Sequence, residues 1–313
     1  MYAYDNLRFF LIVLVVFGHM LELEYTGNHL FLAMKSTIYF WIYSFHMPAF
    51  VFLSGYFSRF NVQKILKYLV FYIVFQVLYI LFSTYVLYNP LQIQFATPYW
   101  ILWYIVVLIY YYCTIPIMDR WVANKNCIIF ASALLSLASG YFKFIGYPLS
   151  LSRFLVFLPF FVLGYYIGQK KKEFTNWIMV NKLRLIVIGI CGNMMTVGMF
   201  LSGTISASFF YGSYSYNGYW EVALRFIQLF VALSNIGMLL VVFHTMINQR
   251  IPYISYMGKA TLSIYLLHGF FVKYLDCKPE PFMLYQIPIY VFMIIIITGN
   301  KYVSNIINLL FIS

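Results

Sequence analysis

Charge is what this chain has least of. Of its 313 residues only 9% are Asp, Glu, Lys or Arg, and just 8 are acidic. Soluble domains carry roughly 25% charged residues, so a chain this poor in charge and 64% hydrophobic reads as a polytopic integral membrane protein of the all-α class. Cysteine is scarce as well. Cys113, Cys127, Cys191 and Cys277 form no CxxC pair and have no histidine at metal-ligand spacing, which argues against a zinc site or a disulfide framework. Long polar stretches are missing too, so one transmembrane domain over 1–313 is expected, with no appended soluble domain, internal repeat or low-complexity tract. No charged n-region and small-residue cleavage site precede the first apolar run, which reads as a retained helix and not a signal peptide. The net charge of +12 lies in short loops, where positive charge sets topology, and no nucleic-acid partner is expected.

What is abundant is apolar sequence, in ten segments: 7–23, 37–57, 65–88, 99–118, 127–142, 153–168, 184–202, 219–244, 260–275 and 285–312. A span needs roughly 20 residues, so about ten transmembrane helices are expected. Loops after even-numbered segments hold Arg59, Lys64, Lys67, Arg120, Lys125, Lys170, Lys171, Lys172, Lys182, Arg184, Arg250 and Lys259. Those after odd-numbered segments hold only Lys35, Lys143, Arg153, Lys273 and Lys278. Twelve against five puts both termini in the cytoplasm by the positive-inside rule.

The first segment, NLRFFLIVLVVFGHMLELE, carries ionisable groups that lipid does not tolerate well. Arg8 and His19 are eleven positions apart, which at about 100° per residue returns them to nearly one helix face. Glu22, three residues on, neighbours His19 on that surface. Ionisable groups at membrane depth normally face a protein interior or a wet cavity and act there. Snorkelling of Arg8 and Glu22 to opposite interfaces, with His19 as a packing residue, is the alternative.

In the second segment, FHMPAFVFLSGYFSR, Pro48 removes a backbone donor beside His46 and is expected to kink the helix. Ser54 and Gly55 suit close helix packing. Arg59, Lys64 and Lys67 form a basic cluster that is either a topology signal or a polyphosphate contact. The Trp- and Tyr-rich 99–112 stretch reads as an interfacial belt. Arg153 opens RFLVFLPFFVLGYYIG, in which Gly164 and Gly168 make a small-xxx-small pair. The uncharged loop 203–218, GTISASFFYGSYSYNG, offers aromatic faces and hydroxyls that suit a sugar, or a plain interface. His268 lies within the ninth segment and His244 near the inner end of the eighth; both rank below His19.

Arginine, ten residues, then histidine in the first helix, followed in order by FHMPAFVFLSGYF, RFLVFLPFFVLGYYIG and KATLSIYLLHGF, resembles the acyltransferase-3 family of integral membrane acyltransferases. The resemblance is nearest the fucose 4-O-acetylase-like branch, which acetylates cell-surface polysaccharides. It implies O-acetyl transfer in a bacterial plasma membrane, with cytoplasmic acetyl-CoA as donor substrate, no bound cofactor, and a glycan or lipid-linked sugar as acceptor. A sugar hydroxyl needs a base within hydrogen-bond reach. His19 is the expected base, with Glu22 orienting it and Arg8 completing the catalytic set; an acyl-histidine intermediate is the other route. Arg8, Arg59, Lys64 and Lys67 would bind the donor phosphates, and His46, Ser54, Arg153 and His268 would serve the acceptor or support it. A transporter of lipid-linked sugars, a non-catalytic partner of a polysaccharide synthase, and a homo-oligomer all stay open at this point.

Overall fold

The computed structural model describes residues 2–26, 28–121, 124–203, 205–278, 282–283 and 285–309. They form a helical bundle: α1 Tyr2–Met20, α2 His29–Tyr56, α3 Val62–Tyr85, α4 Trp103–Arg120, α5 Lys125–Ala138, α6 Leu151–Gly168, α7 Lys171–Val180, α8 Lys182–Leu201, α9 Glu221–Thr245, α10 Pro252–Lys259, α11 Thr261–Asp276, α12 Gln286–Thr298 and α13 Lys301–Leu309. Among the described residues the one sheet is a parallel pair of two-residue strands, β1 Tyr25–Thr26 and β2 Phe282–Met283.

Each of the ten apolar segments contains a helix, but they differ in reach. Seven helices are long and apolar enough to cross a membrane, or up to eight if α12 and α13, bent by 57° at their junction, make one span. The fifth and ninth segments fall short of the expected ten. α5 has 14 residues and α11 has 16, and at ~1.5 Å rise neither covers a hydrocarbon core of ~30 Å. Segment 285–312 breaks at Gly299 and Asn300, and its last residues lie outside the described ones. Two short amphipathic helices, α7 and α10, fall between the apolar segments and give no signal in hydropathy.

Burial sorts the helices. α1 and α2 each bury 67% of their most apolar window, against 22% for α8. α1 packs against α2, α9, α10, α11 and α12, and α2 packs most extensively on α6. The α2–α6 contact is made by glycines: a Cβ at Gly55 would strike the Phe161 carbonyl, and one at Gly164 or Gly168 the carbonyls of Phe52 or Tyr56. Small residues let these backbones touch, as the Gly164/Gly168 spacing predicts. α2 continues unbroken through Pro48.

Both ends of α1 are tied down. At its start Asn6 donates through Nδ2 to the Ile247 and Gln249 carbonyls and accepts from Ser255 Oγ. Past its end, where helical carbonyls lose their partners, Tyr25 OH donates to Met20 O at 2.6 Å and Lys35 Nζ to Leu23 O at 2.8 Å.

Candidate active site

One face of α1 carries Arg8, Ile12, Val15 and His19, spaced by four, three and four residues. The first three line a cavity of about 200 Å³, and His19 lines a second of about 150 Å³. α1 therefore runs along two chambers and presents a different chemistry to each.

In the second chamber His19 Nδ1 lies 3.3 Å from Glu22 Oε1. The contact follows from helical geometry, since residue i+3 sits on the same side, and Glu22 falls in the turn just past α1. The same Oε1 accepts from the Tyr43 hydroxyl and, at 3.1 Å, from Tyr39. Tyr39 pairs in turn with the Tyr211 hydroxyl. A neutral imidazole that donates from Nδ1 to this carboxylate keeps a lone pair on Nε2, the arrangement a general base requires. The side chains of His19 and Glu22 keep 16% and 29% exposure, so both are reachable from the chamber. The His19 ring is 4.5 Å from Trp100 and stacks at 5.4 Å on His268.

Three other histidines, His46, His268 and His244, are held by backbone carbonyls. His46 Nδ1 donates to Ile42 O at 2.7 Å and its ring meets Tyr43 edge-on. His268 Nδ1 donates to the Tyr265 and Ile264 carbonyls, leaving a buried Nε2 without a partner among the described residues. His244 does likewise on Leu240 O, beside Tyr4 and remote from His19's chamber.

Arg153 lines the His19 chamber from α6. Its guanidinium is flanked by Trp103 at 4.8 Å and Tyr147 at 5.0 Å, and it donates through Nε to Tyr211 O. Among the described residues no carboxylate is within ion-pair distance of it. Stacking of this kind stabilises a desolvated cation by ~0.5–2 kcal/mol without neutralising it.

The Arg8 chamber is lined by two cations, Arg8 and Lys64, and by no carboxylate among the described residues. Arg8 Nη1 lies 3.5 Å from Asp5, whose other oxygen is 4.0 Å from Lys259, and the guanidinium sits 4.2 Å over Phe57. Lys64 reaches in to donate to Tyr112 OH at 3.1 Å, and Ser54 shares a 2.7 Å hydrogen bond with Tyr104 OH. Phe57 also borders an adjoining groove of about 600 Å³ that contains Arg59 and Lys170 to Lys172. Lys171 lies 4.8 Å from the Phe57 ring. Partial burial, then the like charges of Arg59 and Arg8, push the Lys171 ammonium below its ordinary value.

Against the sequence expectations, the structure puts His19, Glu22, His46 and Arg153 around one chamber, with His268 behind the His19 ring. Arg8 and Lys64 share the other chamber, and Arg59 borders the adjoining groove. Ser54, expected to serve the acceptor or support it, faces the Arg8 chamber. Lys67 lines neither chamber; it lies 5.6 Å over Phe71. Sequence reasoning missed Asp5, Lys171, Tyr39, Tyr43 and Arg225. Arg225 is wholly buried, donates to Gln228 and to Phe209 O, and stacks on Phe209 at 4.3 Å. It thereby fixes the 3₁₀ turn Ala207–Tyr211 that delivers Tyr211. A cation inside an apolar run was the signal available for it.

The fold and these chambers define a multi-helix membrane protein whose interior holds a histidine–carboxylate pair at one end and a cation cluster at the other. A family model for an acyltransferase domain matches residues 1–302, and the chain belongs to that family, acyltransferase-3. No curated protein and no solved structure matches it.

Proposed function

We propose that this membrane acyltransferase moves an acetyl group from cytoplasmic acetyl-CoA to a hydroxyl of a cell-surface polysaccharide or its lipid-linked precursor, in a bacterial plasma membrane. The observation that carries the reading is the single α1 face on which the Arg8 chamber and the His19–Glu22 pair follow one another. CoA bears several phosphate charges, and guanidinium forks bind phosphate bidentately. Arg8, Arg59, Lys64 and Lys171 offer that charge around Phe57. Arg8 and His19 are on the order of 16 Å apart by helical rise, a gap that an extended pantetheine arm spans.

In the reaction, His19 Nε2 takes the proton of the acceptor hydroxyl as its oxygen attacks the thioester carbonyl carbon. The C–S bond of the tetrahedral intermediate then breaks, and the CoA thiolate leaves with the proton returned by the imidazolium. Glu22 stabilises the imidazolium and holds the ring, with its own charge set in place by Tyr39 and Tyr43. Arg153, beside Trp103 and Tyr147, orients the acceptor by polar contact and stacking.

Purified protein in nanodiscs, given acetyl-labelled acetyl-CoA and alkali-deacetylated polysaccharide from the source strain, should move label into alkali-labile ester on the glycan. Release of neither label nor CoA would return the chain to the transporter or non-catalytic class. Reporter fusions at Lys171 and Arg250 should report cytoplasmic, and at Gln92 and Ser213 external. An external signal at Lys171 would reverse the side from which the donor enters.

A further inference from the structure

The two chambers meet at one side chain. Among the described residues Met47 alone lines both the Arg8 chamber and the His19 chamber. Its burial agrees with that placing. From Ile42 to Ala49 every residue of α2 is buried except Met47, which keeps partial exposure although it lies in the middle of a well-buried helix. Methionine is unbranched, with three rotatable bonds, and swings within irregular gaps more readily than any branched residue of its size.

From this we infer that Met47 is a movable septum between the donor and acceptor chambers and sets the length of acyl group the enzyme can transfer. The inference rests on the acyl-CoA reading above. The acyl end leads the pantetheine arm out of the Arg8 chamber, so it is the first part of the donor to meet the Met47 thioether. An acetyl group carries one carbon beyond its carbonyl. A butyryl group adds two methylenes, and these must occupy space that the Met47 side chain fills when it has swung aside. Met47→Ala removes three heavy atoms, Cγ, Sδ and Cε, slightly more than those two methylenes need. Met47→Phe does the reverse, replacing a flexible chain by a rigid ring.

A well-fitted apolar pocket discriminates one methylene by about 10- to 200-fold. The native protein in nanodiscs should therefore favour acetyl-CoA over butyryl-CoA by at least about tenfold in kcat/KM, read as CoA thiol release that depends on added deacetylated polysaccharide. Met47→Ala should bring the two donors to within about threefold of each other. The dissociation constants for CoA itself should be unchanged, because its phosphates are held at the far end of the Arg8 chamber. Met47→Phe should slow acetyl transfer and sharpen the preference, which keeps the test open if the alanine variant fails to fold. An unchanged donor preference in a folded Met47→Ala protein overturns the septum and leaves the transferase reading intact. Native protein that releases no thiol from either donor overturns both.

Discussion

The two ends of α1 sit on the same helix face and do opposite things with charge. At the Arg8 end cations crowd together: Arg8 shares Asp5 with Lys259, and Arg59 and Lys171 border the groove beside Phe57, where partial burial and then the charges of Arg59 and Arg8 depress the Lys171 ammonium. Under the proposed function, a polyanionic donor entering there relieves repulsion, and that end binds it. At the His19 end Glu22, the one carboxylate among the described lining residues, accepts from the Tyr39 and Tyr43 hydroxyls and faces the His19 imidazole. Under the same proposal, that end holds a proton in one place. Damage to the first end should therefore appear in donor affinity, and damage to the second in turnover.

The sharpest break is His19→Ala. A positioned general base contributes about 10²- to 10⁴-fold, so kcat should fall by at least about a hundredfold while membrane abundance and acetyl-CoA half-saturation stay near native; the readout is glycan O-acetyl content together with initial rates. Retained acetylation would remove the base from the His19 end altogether.

Glu22→Gln comes next. It keeps the shape and the tyrosine contacts but not the charge that stabilises the imidazolium, and a hydrogen bond to a charged group is worth about 1.5–3 kcal/mol. Turnover should drop about ten- to a hundredfold with donor half-saturation unaltered. A purely structural Glu22 would instead lower the melting temperature and leave kcat of the folded fraction in place.

At the opposite end, Arg8→Ala should raise half-saturation for acetyl-CoA about ten- to a hundredfold by the same conversion, with little change in acceptor dependence. Arg8→Lys should recover only part of the loss, since an ammonium keeps charge without the fork. Native half-saturation in both variants would make Arg8 a structural partner of Asp5 and Lys259, and would move the donor site towards Lys64.

The smallest effect is expected at the solvent-exposed cations. Lys171→Ala and Arg59→Ala should each raise donor half-saturation by only a few-fold, because exposed ion pairs contribute about 0.2–1 kcal/mol, and the increments should shrink as salt is added. Lys67→Ala, which removes a cation from neither chamber, should do nothing. Equal losses at Lys67 and Lys171 would mean that net charge, and not the Phe57 groove, attracts the donor.

Much of this was legible in the residues themselves. Composition placed the chain in a membrane because 9% charge cannot clothe a soluble surface. The helical period put Arg8 and His19 on one stripe and Glu22 next to His19, since i+3 and i+11 relations are fixed within a single helix whatever surrounds it. The same period carried Asp5 to Arg8, a signal that was present and unused. The Gly164/Gly168 spacing announced a close backbone contact for the same local reason. Tertiary structure decided what periodicity cannot reach. The Tyr39–Tyr211 contact joins residues 172 positions apart, with Arg225 holding Phe209 in the turn that carries Tyr211. Ser54 and His46 are eight residues apart on α2 yet serve different chambers, and Met47 faces both, because the rotation and tilt of α2 are set by Gly55, Gly164 and Gly168 packing on backbone. A sequence fixes which side chains share a helix face; which face meets which neighbour is set by the packing of whole helices.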